Sequence, residues 1–252
     1  MNQDSFNDFR TSVPLVGLLP LLLSLGACGP AAGTGPHEMS AAQHQQAAQA
    51  EMAEGTSHGE QYDPNAQHKR LSCAPGTVKS GICWRDVANP TKEHEELAEK
   101  HRKLAAQHRA ASEALVAAEK QACAGLDNED RDESPFAHKE DIKSVSRLRG
   151  EVQTAGGLTP GGWEGATIIF RAVPGLTVPF FQRIIDCHLA RNAALGHDAA
   201  SKEMEYCPLT LKGAQASVRE EGSGFAVNIR SQEPGMADEI WRLAQRLAPS
   251  DG

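Results

Sequence analysis

The stretch that decides the fold is Thr91–Cys123, TKEHEELAEKHRKLAAQHRAASEALVAAEKQAC. It holds no Gly or Pro and is built from Ala, Glu, Lys, Leu, Gln and Arg, the residues that cost least in a helix. Glu93, Glu95 and Glu96 crowd its first turn, where the helix dipole favours negative charge, and Gly125 marks its end. Asn89-Pro90-Thr91 reads as the start, with Thr91 as the N-cap. Leu97, Leu104, Ala111 and Ala118 recur every seven residues, and His94, His101, His108 and Leu115 recur every seven on the adjacent row. The three imidazoles therefore share one stripe, each about 10.5 Å from the next. One ion held by one helix needs donors at i, i+3 or i, i+4. At this spacing the three cannot share an ion, but each can give one ligand to a site completed by another segment. A His-lined seam also offers a pH-sensitive contact between helices.

Upstream, Val13 to Leu25 is almost wholly apolar and closes on Leu25-Gly26-Ala27-Cys28. Its length suits a signal-peptide core and falls short of the roughly 20 apolar residues that cross a bilayer. The tetrad resembles the lipobox of bacterial lipoprotein precursors. In that family the Cys thiol carries diacylglycerol, cleavage falls just before it, and the new amino terminus is often acylated as well. The resemblance implies a signal peptide over 1–27, Cys28 as the lipidated first residue bearing palmitate-type chains, and stable attachment through more than one chain. Gly29 in place of Asp points, within the same resemblance, to the outer membrane facing the periplasm. The segment before the run departs from the pattern, with Arg10 set against Asp4 and Asp8. The resemblance covers only these first residues.

Residues 28–70 read as a flexible tether. Gly29 to Pro36 is linker-like, and Met39 to Glu54, with Ser40 as an N-cap, allows a short helix that the near absence of an apolar stripe leaves frayed on its own. This tether carries His44, Met52 and His58, imidazole and thioether donors suited to copper or zinc. Together with His94, His101 and His108 they form the candidate metal-ligating set.

The chain has six Cys and a net charge of −8. No basic run or basic-aromatic stripe is present, which argues against nucleic acid as a partner. With Cys28 lipidated and the chain exported, the remaining thiols tend to pair. Cys73 and Cys83 bracket a turn-rich loop within 71–90 and are expected to bond. Cys187–Cys207 is the preferred second bridge, and pairing of Cys123 with either is the competing one.

Residues 126–150 read as an acidic loop and connector in which Ser134-Pro135 caps a turn that docks Phe136. From 151 to 252 the periodicity gives β-β-α-β-β-α. A short strand lies at 151–154 and turn material at Pro160-Gly161-Gly162. Strands follow at 166–173, 214–218 and 224–230, with helices at 178–195 and 236–247. The class is α+β: a long N-terminal helix plus a small two-layer sandwich, ferredoxin-like by analogy. On the 178–195 helix, Phe181, Ile184, Ile185 and Leu189 form the apolar face. His188 and Asn192 lie in its middle and Cys187 at its edge, so both polar groups need buried partners.

No phosphate loop, nucleophile elbow or zinc-protease helix appears. Three functions remain: a non-enzymatic, membrane-anchored envelope lipoprotein presenting an interaction domain to an envelope component, with no cofactor; periplasmic copper or zinc binding through the His and Met set; and a Cys187/His188 enzyme.

Overall fold

The computed structural model describes residues 31, 33–73, 83–154, 157–196 and 204–249. The lipobox with Cys28, and the loop interior at 74–82, lie outside them. The chain is mixed α and β, with two antiparallel sheets. Helix α1 (Ala41–Gln61) leads to a hairpin of β1 (His68–Cys73) and β2 (Cys83–Ala88), then to α2 (Lys92–Ala122) and short α3 (Asn128–Asp132). Then come β3 (Ile142–Thr154), β4 (Gly157–Phe170), α4 (Val178–Leu195), β5 (Gln215–Glu221), β6 (Gly224–Arg230) and α5 (Met236–Gln245).

The second sheet has the order β3-β4-β6-β5, every neighbour antiparallel. Helix α4 carries the chain from β4 across β6 to β5. One face of the sheet holds Val145, Ile168 and Val227, with Ala166 and Ile229 in the next row. Helices α4 and α5 cover this face, burying Phe181, Ile185, Ile240 and Ala244 against it. Phe136, Phe170, Phe181 and Phe225 run through the core as a chain of ring contacts 5.0–5.9 Å apart. Phe136 is fully buried, its amide donating to the Ser134 hydroxyl. Gly165 is needed where β4 meets β6, since a Cβ there would lie 2.0 Å from the Ile229 carbonyl oxygen.

Helices α1 and α2 form an antiparallel pair stacked on α4, a further layer beyond the sandwich. The α2–α4 contact is fixed by the Cys123–Cys187 disulfide and by Arg191, whose guanidinium lies 3.4 Å from Glu119 and 3.1 Å from Asp132.

Four expectations change. The supposed tether holds a helix of 21 residues, because its contact with α2 is made by small residues and imidazoles rather than by an apolar stripe. Ser40 caps it through a reciprocal pair of bonds with Gln43. The long helix is thus the second, not the first. Thr91 is the N-cap residue of α2 as expected, but its side chain makes no cap bond to the helix; its hydroxyl binds Asp63 and Asn89, tying the end of α1 to the start of α2. The sheet begins at Ile142 rather than 151, and Pro160-Gly161-Gly162 lies inside β4. Pairing with β3, with its register shifts near Arg149, overrides the local turn preference. The element order differs from the β-α-β-β-α-β of a ferredoxin-like unit, of which it is a cyclic rotation, so the analogy carries no assignment.

Candidate functional site

The antiparallel α1–α2 pair is built on two heptad rows. In one, Ala48 and Gly55 of α1 meet Ala98 and Ala105 of α2, all buried. A Cβ on Gly55 would lie 3.3 Å from the Ala98 carbonyl oxygen and 3.4 Å from the His101 Cβ, so the helices approach closely there. The second row is polar. His44, Glu51 and His58 recur every seven residues on α1 and face His108, His101 and His94 of α2 in turn. The structure thus gives each imidazole of the α2 stripe its own partner from α1.

In the first rung, His44 Nδ1 and His108 Nδ1 are 3.0 Å apart and both rings are buried. His44 Nε2 lies 3.1 Å from the Gly35 carbonyl oxygen, which only accepts, so Nε2 carries the hydrogen. Neutral His44 then offers a bare Nδ1, and His108 donates its Nδ1–H to it. In the middle rung, His101 Nδ1 donates to Glu51 Oε2 at 2.6 Å, which leaves the other ring nitrogen of neutral His101 as a lone pair. In the third rung, His58 Nδ1 and His94 Nδ1 are 3.1 Å apart, and the His58 ring stacks on His101 at 5.5 Å between centroids. These three rings are half-buried and open to water on one side.

Six candidate ligands were expected from the sequence. Five of them, His44, His58, His94, His101 and His108, lie on the α1–α2 seam. Met52 is half-buried on α1 and adds no rung. Among the described residues no group of three or more His, Cys, Asp or Glu is close enough to hold an ion as it stands. Glu51 was missed. Its signal was its place midway between His44 and His58 at the same seven-residue interval.

The cysteines differ in one pairing. Cys83 is disulfide-bonded, and Cys73 stands opposite it in the β1–β2 register. The preferred Cys187–Cys207 bridge is overturned. Cys187 bonds Cys123, and Cys207 is a buried free thiol. Docking of α2 along α4 brings Cys123 to the middle of α4, while Cys207 lies in the core near Ser134. Burial raises the Cys207 thiol above its ordinary value.

That pairing also removes the thiol from a Cys187/His188 reaction centre. His188 is buried and its Nε2–H donates to the Asp130 carbonyl at 3.1 Å; Asn192 donates to the Leu209 carbonyl at 3.1 Å. Both are satisfied structural groups. Burial lowers the His188 imidazole below its ordinary value, partly offset by the bond to Asp130.

On the sheet face away from α4 and α5, Ser146, Thr167, Asn228 and Ser217 form a row across all four strands, with Thr167 donating to Asn228 Oδ1 at 2.8 Å. Ser146 and Ser217 are exposed, and no helix of the described residues lies over this row. Beside α3, Glu129, Asp130, Glu133 and Asp141 rim a cavity of about 200 Å³ whose floor includes Phe170 and Phe181. No family model, curated protein or solved structure matches this chain. Among the described residues no helix is long and apolar enough to cross a membrane.

Proposed function

We propose that the chain is a non-enzymatic bacterial lipoprotein of the cell envelope, held at the outer membrane through lipid on Cys28 and presenting an interaction module to the periplasm. The observation that carries this reading is the apolar run closed by Leu25-Gly26-Ala27-Cys28. Two others support it. The Cys123–Cys187 bridge and the bonded Cys83 fit an oxidising compartment. The α1–α2 pair, joined to the sandwich through α4, is a body suited to holding a binding face in fixed orientation.

The tether is shorter than the sequence suggested. From Cys28 to Gly33 the chain reaches at most about 20 Å at full extension, so the module stays close to the bilayer surface. The uncovered sheet face with its Ser146, Thr167, Asn228 and Ser217 row is the surface offered to a partner. Its hydroxyls and amide suit a hydrogen-bonding envelope component better than an apolar one.

The test is fractionation of cells expressing the full chain and its Cys28→Ser variant. The reading expects the parent in the membrane fraction, released by detergent and not by salt, and the variant outside it. Equal membrane association of both would sink it.

A further inference from the structure

The seam between α1 and α2 asks why imidazoles occupy positions where a coiled pair ordinarily places Leu. Buried polar pairs stabilise less than well-packed apolar ones, so these rings bring chemistry rather than packing strength. From the third rung we infer a metal site: His58 and His94 bind a divalent transition ion of the zinc or copper(II) class through their Nδ1 atoms, with His101 next in line as a further donor. This stands independently of the lipoprotein reading.

The geometry is close to what such an ion requires. Two imidazoles on a tetrahedral ion at 2.0–2.1 Å per bond have nitrogens about 3.3–3.4 Å apart. The His58 and His94 Nδ1 atoms are 3.1 Å apart. They must separate by about 0.2–0.3 Å, and the rings must turn so that both lone pairs leave the N···N line and meet at the ion, a movement of side-chain torsions. In the metal-free pair one proton lies between the rings. On binding, the ring that donated it takes up the Nε2–H tautomer, so both Nδ1 lone pairs face the ion and two neutral rings lose no proton overall.

The surroundings fit as well. Glu51 holds the His101 Nδ1–H at 2.6 Å, the carboxylate arrangement that orients metal-ligating imidazoles, and in the neutral ring the other nitrogen is then the one that carries a lone pair for an ion. His101 stacks on His58 and so sits beside the pair. The three rings are half-buried, which leaves water a route to the remaining positions. The His44–His108 rung differs: both rings are enclosed, so it holds a shared proton and completes no coordination sphere.

The experiment is calorimetric titration of the full chain, prepared without a His tag, with Zn2+ and with Cu2+, alongside His58→Gln, His94→Gln, His101→Gln and His138→Gln. His138 is an exposed surface imidazole beside Glu140 and serves as the control. The inference expects one ion per chain. His58→Gln or His94→Gln should weaken it by more than about 100-fold, beyond the 10–100-fold typical of an orienting partner. His101→Gln should weaken it by about tenfold, and His138→Gln should leave it unchanged. No binding of either ion, or binding kept in both His58→Gln and His94→Gln, overturns the inference. Should those variants fail to fold by circular dichroism, the parent chain decides. Zn2+ must then shield His58 and His94, and not His138, from diethylpyrocarbonate; equal reactivity with and without Zn2+ overturns the site.

Discussion

His188 is a buried base, and its burial favours the neutral form in the native chain, partly offset by its bonds to the backbone of Asp130 and Glu133. Its folded-state pKa is lowered, while the unfolded chain takes up the proton near pH 6.5. Unfolded chains therefore bind more protons as pH falls through that value. The stability His188 contributes is present above about pH 6.5 and is lost on acidification, by at most about 1.4 kcal/mol per pH unit from one group. Urea unfolding at pH 7.5 and 5.5 should show a larger loss in the parent than in His188→Gln. A loss of the same size in both would assign the pH dependence elsewhere. Gly55 tests the seam at the same scale. A Leu there must push into the Ala98 carbonyl and His101, and overpacking of this kind costs about 1–3 kcal/mol. Thermal unfolding of Gly55→Leu reads it directly, and an unchanged midpoint would mean that the helices do not approach so closely.

At the scale of elements, β5 is an edge strand whose outer backbone is occupied by one side chain. Gln182 of α4 accepts from the Val218 amide at 2.7 Å and donates to the Ala216 carbonyl at 3.3 Å, standing in for a missing strand. Gln182→Ala should speed amide exchange at Val218 and lower stability by about 1–2 kcal/mol, two hydrogen bonds' worth. Unchanged exchange would show that the amide protects nothing. Helix α4 was fully legible in the sequence, because Phe181, Ile184 and Ile185 repeat at helical spacing between Thr177 and Gly196, which cap it. The β5–β6 hairpin was legible for the same kind of reason, its alternation being broken at Gly222-Ser223-Gly224. Helix α1 was legible only in part: Ser40 marked its start and the composition allowed a short helix. A seam of Ala48, Gly55 and imidazoles has no apolar contrast with the exposed face, so a periodicity argument reads that helix as frayed and misses its length and its packing on α2. Strand β3 was hidden because Lys143, Ser144, Ser146 and Arg147 interrupt Ile142 and Val145, and only its pairing with β4 makes it a strand. The imidazole stripe of α2 was visible residue by residue. Its partners on α1 follow only once the two helices are known to run antiparallel.

Over the whole molecule, the chain is a sandwich with a helical pair fastened to its outer helix. The fastening is covalent at Cys123–Cys187, which spans 64 residues of sequence. Loop-closure entropy for a ring of that size is about 4 kcal/mol, so Cys123→Ser with Cys187→Ser should lower the unfolding free energy by roughly that amount in urea. A loss below about 1 kcal/mol would show that packing alone docks α2 on α4. The sequence left this docking open, because the five cysteines after Cys28 allow several pairings and spacing alone does not choose among them. The proposed lipid anchor belongs to the same scale, since it would determine where the module stands and which surfaces meet a partner. The most direct measurement is the intact mass of the chain extracted from membranes. The account predicts a polypeptide that begins at Cys28, heavier by diacylglycerol and further acyl groups. A mass retaining residues 1–27, or a cleaved chain without lipid, would contradict it.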